Sequence, residues 1–227
     1  MSTAPYYLPM KIRSGTLEGL KWLAMIFMTI DHVNRIFFDG RHDTAFSIGR
    51  MAMPLFAFVF AYNLARPEVF ASQMYFKTFK RLVLFGLLAT PAYMAMMKIH
   101  GLFPLNILFT FLVASTMFYF YEKEGPSARV IFCFLIGGML VEYNWVGLVI
   151  CFSSWQYCKK PTLISLITCF VAYFILDFAN NSNWTLLAIP IIILATQINV
   201  KIPRWRYLFW VYYPLHLTGL VLIKALG

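Results

Sequence analysis

Leu20 to Phe38 reads LKWLAMIFMTIDHVNRIFF. The run is long enough to cross a bilayer, which takes about 20 predominantly apolar residues, yet it carries Asp31, His32 and Arg35 toward one end. An ionisable side chain at bilayer depth costs about 2.5–3.5 kcal/mol on insertion scales, so such residues mark sites of chemistry or transport. One stretch therefore predicts a membrane helix and locates the place where chemistry is to be sought.

The rest of the chain has the same character. Of 227 residues, 61% are hydrophobic and 12% charged, with a mean hydropathy of +0.71, against about a quarter charged in a typical soluble domain. Apolar segments at 19–38, 44–65, 80–97, 103–121, 127–142, 144–158, 162–178, 184–199 and 207–225 predict an all-α, polytopic transmembrane bundle of about nine spans. They fill a single domain, 1–227, and leave no room for a soluble catalytic domain, so any active site must lie between helices. The net charge of +10 follows the same layout. With the N-terminus inside, 14 of the 19 Lys and Arg residues fall on the inner side: Lys11, Arg13, Lys21, Arg66, Lys77, Lys80, Arg81, Lys123, Arg129, Lys159, Lys160, Lys201, Arg204 and Arg206. The positive-inside rule then favours an N-inside, C-outside orientation. Basicity is assigned to topology and the lipid bilayer, not to nucleic acid.

Cys133, Cys151, Cys158 and Cys169 all lie in or beside proposed spans, without a C-x-x-C or Cys/His spacing. They are read as packing residues, with neither disulfide nor metal site expected. The first apolar run is too long, and too charged, for a removable leader and is read as a retained helix. The polar interval Arg66–Arg81, with Tyr75, Phe76 and Phe79 among its cations, reads as an interfacial amphipathic segment. Pro54 and Pro214 each remove an amide within a span, freeing the carbonyls of Arg50 and Trp210.

The buried polar residues share a depth. His32 lies slightly outward of the middle of the first helix, Arg50 enters from the outer end of the second, and His216 is near the middle of the ninth. Glu142, Asn144, Asp177, Asn180 and Asn181 fall at outer turns. Asp31 and Arg35 are spaced to pair on one helix face. His32 stands about 100° round the helix from Asp31, so it needs a partner from another helix or is kept neutral by Arg35. A neutral imidazole is the form that accepts a proton. No P-loop, G-x-S-x-G elbow, Rossmann glycine set or H-E-x-x-H is present, so spacing alone yields a membrane protein with a buried Asp/His/Arg site and no named reaction.

Five blocks go further. Ile26–Phe37 (IFMTIDHVNRIF) and Gly49–Arg66 (GRMAMPLFAFVFAYNLAR) resemble the N-terminal signature of the TraX-like conjugative pilin acetylases. Asn106–Ser115 (NILFTFLVAS), Glu142–Leu148 (EYNWVGL) and Tyr207–Leu217 (YLFWVYYPLHL) resemble later blocks of that family, in the same order. The resemblance covers most of the chain. Its most specific parts are the Asp-His pair, the Gly-Arg-x-x-x-Pro block and the terminal aromatic block with its histidine, whereas the family pattern around Glu142 is dominated by Tyr and Gly.

This resemblance implies a multi-pass protein of the bacterial inner membrane that transfers acetyl from acetyl-CoA to the N-terminal amine of a conjugative pilin subunit. It also implies kinship with polytopic acyltransferases of surface glycans, in which a histidine of the first helix serves as base. On that footing His32 is the expected base, Asp31 (with Arg35) fixes its helix face, and Arg50 stabilises the oxyanion. Arg35, Asn106, Tyr213 and His216 are the expected substrate-binding residues. An O-acyltransferase acting on a surface or lipid-linked glycan, a small-solute transporter using Asp31, His32 and His216 as a proton relay, and a non-catalytic pilin assembly factor fit the same residues.

Overall fold

The structure, a computed structural model, describes residues 11–205 and 207–227; Arg206, one of the expected inner cations, lies outside the described residues. Among the described residues every regular element is helical, apart from one isolated bridge between Leu105 and Val141. The order is α1 (Ser14–Phe37), α2 (Asp43–Gly49), α3 (Ala52–Leu64), α4 (Glu68–Ala71), α5 (Met74–Met97), α6 (Ile107–Glu124), α7 (Ala128–Leu140), α8 (Asn144–Lys159), α9 (Leu163–Ala179), α10 (Ala188–Gln197) and α11 (Leu208–Leu226). A 3₁₀ turn, Thr185–Leu187, leads into α10.

Helices therefore form wherever an apolar segment was expected, and the all-α class holds. Membrane crossing is narrower. Three helical stretches are long and apolar enough to span: Asp43–Leu64, Met74–Met97 and Leu208–Leu226. The apolar helices Ala128–Leu140, Leu163–Ala179 and Thr185–Gln197 are shorter. At 24 residues α1 has the length, about 36 Å, but it holds Glu18, Lys21, Asp31 and Arg35.

Several boundaries move. Helix α1 begins at Ser14, because Thr16, Leu17 and Glu18 are already buried. The expected interfacial segment is no separate element: it divides into α4 and the first turns of α5, which starts at Met74 and carries Lys77, Lys80 and Arg81. The second span is broken between Gly49 and Ala52. Pro54 thus sits in the first turn of α3, where an amide has no intrahelical partner to lose, whereas Pro214 lies inside α11.

Helix α3 is the centre of the bundle. It is apolar on every side, as a helix surrounded by others must be, and Leu55, Ala57 and Ala61 are fully buried. It packs against α1 and α8; α5 packs against α11, and α6 packs against α5, α7 and α8. The outer helices show the reverse: α9 exposes Ile164, Ile167, Phe170, Phe174 and Phe178, an apolar surface of the kind lipid covers. Asp177 accepts a bond from the Thr185 amide at 3.1 Å, so this outer-turn carboxylate holds the 3₁₀ turn.

The loop entering α6 is fixed by Asn106, which is fully buried. Its Oδ1 accepts from the Leu108 amide at 3.1 Å, capping α6. Its Nδ2 donates to the Gly86 carbonyl at 2.9 Å and to Thr90 Oγ1 at 3.2 Å. Asn106→Ala leaves these acceptors short of a donor and α6 without its cap. We expect it to lower stability by about 1–3 kcal/mol, read as a fall in the melting temperature of the detergent-solubilised protein.

Candidate active site

Near the C-terminal end of α1, a cleft of about 180 Å³ opens between four elements. Asp31, His32 and Arg35 line it from α1, Arg50 from the α2–α3 junction, Met96 and Met97 from the end of α5, and Glu142 and Tyr143 from the turn before α8. Of the residues expected at the site, Asp31, His32, Arg35 and Arg50 thus share one cleft, whereas Asn106, Tyr213 and His216 do not line it.

Asp31 pairs differently from the expectation. Its Oδ1 lies 2.7 Å from Arg50 Nη2, whereas its Oδ2 is 3.9 Å from Arg35 Nη2. The i, i+4 partner is the looser one because Arg50 is directed inward by its own surroundings. Its Nε donates to the Phe46 carbonyl at 3.3 Å, and its guanidinium lies over the Phe46 ring at 4.3 Å. Gly49 permits the approach: a Cβ there would stand 2.4 Å from the Asp31 Cβ. Arg35, by contrast, keeps 37% of its side chain exposed, and among the described residues its one hydrogen-bond acceptor is the Met97 Sδ, at 3.4 Å. Arg50 is therefore the structural cation of the cleft, and Arg35 is the available one.

Glu142 was read as an outer-turn residue, and the structure places it in the cleft wall. Its turn is pinned at the backbone. The Glu142 amide donates to the Leu105 carbonyl at 2.7 Å, and its carbonyl accepts from Thr110 Oγ1 at 2.6 Å. Tyr143 and Asn144 follow with φ of 63° and 47°, consecutive left-handed conformations that are costly for residues other than glycine. The Ile107 amide, at the start of α6, faces both the Glu142 carboxylate and Tyr213. Among the described residues no cation comes within 4 Å of Glu142, and Arg35 and Arg50 are the cations that share the cleft with it.

His32 finds its partner on the last helix: its Nδ1 is 2.8 Å from His216 Nε2. His216 is half-buried behind it, outside the cleft lining. Tyr213 is buried beside His216, with ring centroids 5.6 Å apart, and backs the cleft without lining it. Asn106, expected among the binding residues, is committed to the α6 cap and lies outside the cleft lining. The residues that sequence reasoning missed are Tyr143, Met96 and Met97. Tyr143 stood beside Glu142 in a quoted block, whereas nothing in the pattern of the two methionines sets them apart from core residues. Among the described residues no group of three His, Cys, Asp or Glu is placed to hold a metal.

The elements that build this cleft lie within the reach of one family match: a family model described as TraX protein matches residues 16–224. The chain belongs to the TraX family. Protein TraX of Escherichia coli is 29% identical to it over 168 residues, 70% of this chain and 64% of that protein. The chain thus spans less than two thirds of that relative's length. No solved structure matches it. The TraX match runs from the first turn of α1 almost to the end of α11, so His32, Arg50, Glu142 and His216 all fall inside it.

The Asp31–Arg50 pair has a distinct stability signature. Removing one member of a buried pair leaves an uncompensated charge and costs about 3–5 kcal/mol, whereas replacing both with apolar residues is often neutral or stabilising. Asp31→Leu should therefore destabilise strongly, and the double variant Asp31→Leu/Arg50→Met should recover most of the loss, measured by thermal unfolding in one detergent.

Proposed function

We propose that the chain is an acetyltransferase of the bacterial inner membrane that moves acetyl from acetyl-CoA to the N-terminal amine of a conjugative pilin subunit. The observation that carries this reading is the cleft itself: one imidazole, two guanidinium groups and a carboxylate that lacks a close cationic partner, converging on about 180 Å³. The acyl donor and the acceptor are taken from the resemblance of the five sequence blocks to the conjugative pilin acetylases, and the cleft offers groups suited to that chemistry.

An α-amine has a pKa of about 7.7–8.0 and must lose its proton before it attacks. In the proposed reaction the amine nitrogen attacks the thioester carbonyl, the C–N bond forms, and the C–S bond breaks. His32 takes the proton shed by nitrogen and returns it to the departing thiolate, so a neutral amine and acetyl-CoA give amide and free thiol. An acceptor arriving as ammonium releases one further proton to solvent. Arg35, with Arg50 behind it, faces the negative charge that develops on the carbonyl oxygen. Glu142 draws the cationic amine toward His32, a role that a hydroxyl acceptor would not need. A cleft of this size is below the roughly 300–1,000 Å³ of a pocket for a drug-sized ligand. It takes the two reacting ends, and the rest of each substrate lies outside it.

The nine-span, N-inside and C-outside arrangement belongs to the same proposal. His32 is about 8 Å of helix rise from the C-terminal end of α1 and about 27 Å from its start. On this topology the acceptor reaches the cleft from the outer side, and the extended arm of acetyl-CoA reaches it from the inner face, where Lys and Arg are concentrated and attract its phosphates.

Two variants test the reading, using the purified full chain with acetyl-CoA and a synthetic peptide bearing a free α-amine. His32→Ala should abolish acetylation, seen as an unshifted peptide mass, with the melting temperature retained; persistent acetylation would make His32 structural. Glu142→Gln should raise the KM for the amine about tenfold with a smaller change in kcat, and an unchanged KM would remove Glu142 from acceptor recognition.

A further inference from the structure

The contact between α1 and α11 fixes more than packing. His216 Nδ1 lies 2.9 Å from the Tyr212 carbonyl oxygen. A carbonyl only accepts, so that nitrogen carries a hydrogen, and a neutral imidazole then presents a lone pair at Nε2. This lone pair faces His32 Nδ1 at 2.8 Å. His32 Nδ1 must therefore be the donor, which leaves the lone pair of His32 on Nε2. For two neutral rings no other assignment satisfies both contacts.

The ring geometry suits a directed bond. The two planes are within 5° of parallel and the centroids are 5.1 Å apart. That separation equals the N···N distance plus one ring radius on each side, so the imidazoles lie edge to edge in nearly one plane, with the N–H aimed at the lone pair. The Tyr212 ring stacks on His216 at 4.8 Å. Thr29 Oγ1 donates to the Met25 carbonyl at 2.8 Å and so receives the Tyr212 hydroxyl proton at 2.7 Å. Helix α11 is thus fastened to α1 at Thr29–Tyr212 as well as at the histidine pair.

We propose that His216 is the positioning residue that sets the tautomer of His32, making Nε2 of His32 the base; the inference rests on the acetyl-transfer reading above. As His32 takes a proton on Nε2, its Nδ1–H becomes a charge-assisted donor to His216, and the charge is shared with a ring that is itself anchored to a carbonyl. The role is that of the orienting acid in a hydrolase triad, filled here by a second imidazole. The charged groups that share the cleft with His32 are Asp31 and Arg35 on its own helix, Arg50 from the α2–α3 junction and Glu142 from the turn before α8. An orienter without charge leaves their balance unchanged.

The test pairs kinetics with a spectrum. With acetyl-CoA and the free-amine peptide, His216→Ala should lower kcat about 100-fold while the KM values for both substrates stay within a few-fold. His216→Gln, which keeps an acceptor oxygen for the His32 N–H, should restore kcat to within about tenfold of the wild type. ¹⁵N NMR of the histidine-labelled protein should show His32 protonated at Nδ1 in the wild type and as a tautomer mixture in His216→Ala. A His216→Ala enzyme of near-normal kcat, or a His32 protonated at Nε2 in the wild type, would overturn the assignment. A wild-type protein that transfers no acetyl would sink the underlying reading instead, and the NMR tautomer would still decide the role of His216.

Discussion

The Asp31–Arg50 ion pair is the contact on which the cleft depends. It ties the middle of the bundle together at the point where the second apolar segment breaks into α2 and α3. Inside an apolar bundle, backbone and side-chain polar groups must be satisfied by the protein. A broken helix and a buried arginine each create such a demand, and here they answer each other. The break lets Arg50 turn toward α1, Asp31 neutralises it, and the missing Cβ of Gly49 lets the two helices come close enough for both. The opposite wall is held with equal firmness by the Leu105–Glu142 backbone bond and the Thr110 hydroxyl. A space between two fixed walls keeps its shape, which the proposed alignment of two substrates requires.

Much of this was legible in the sequence, for a physical reason. Helical hydrophobicity is a local property, so the apolar segments give the helices, and the energetic penalty on buried charge singles out Asp31, His32, Arg35 and Arg50 wherever they lie. Which groups pair is a property of packing. The i, i+4 rule gives Arg35 to Asp31, and within one helix it is right, but a residue from another helix won because Phe46 and the helix break orient it. Asn106 has the polarity of a binding residue and spends all of it on a helix cap. Glu142 looked solvated at a turn, because the bridge that draws that turn inward comes from Leu105, more than 30 residues away. The His32–His216 bond joins positions 184 residues apart, and no periodicity can report it.

The charges in the cleft divide by what is done with them. Two anions and two cations make a formally neutral group, which lowers the cost of burial relative to any one of them alone. Asp31 and Arg50 use their charges on each other. Arg35 and Glu142 face the same space: Arg35 has a loose 3.9 Å contact with Asp31, and among the described residues no cation comes within 4 Å of Glu142. These two can respond to a substrate, the first to an anion and the second to a cation, and the proposed reaction presents both: negative charge developing on the thioester carbonyl oxygen, and an amine that arrives as a cation and loses its proton before it attacks.

That division also suits the proposed base, a histidine backed by a histidine. A carboxylate behind His32, as in hydrolase triads, would join Asp31 and Glu142 as a third anion and would compete with Asp31 for Arg50. A neutral acceptor orients the ring equally well and leaves the balance of charges intact. The constraint is met by an element remote in sequence, because α11 is the helix that packs on both α1 and α5, which supply between them five of the eight residues of the cleft lining. The histidine on α11 is therefore placed by the same packing that closes the bundle, and the orientation of the His32 ring is a consequence of the fold and not an addition to it.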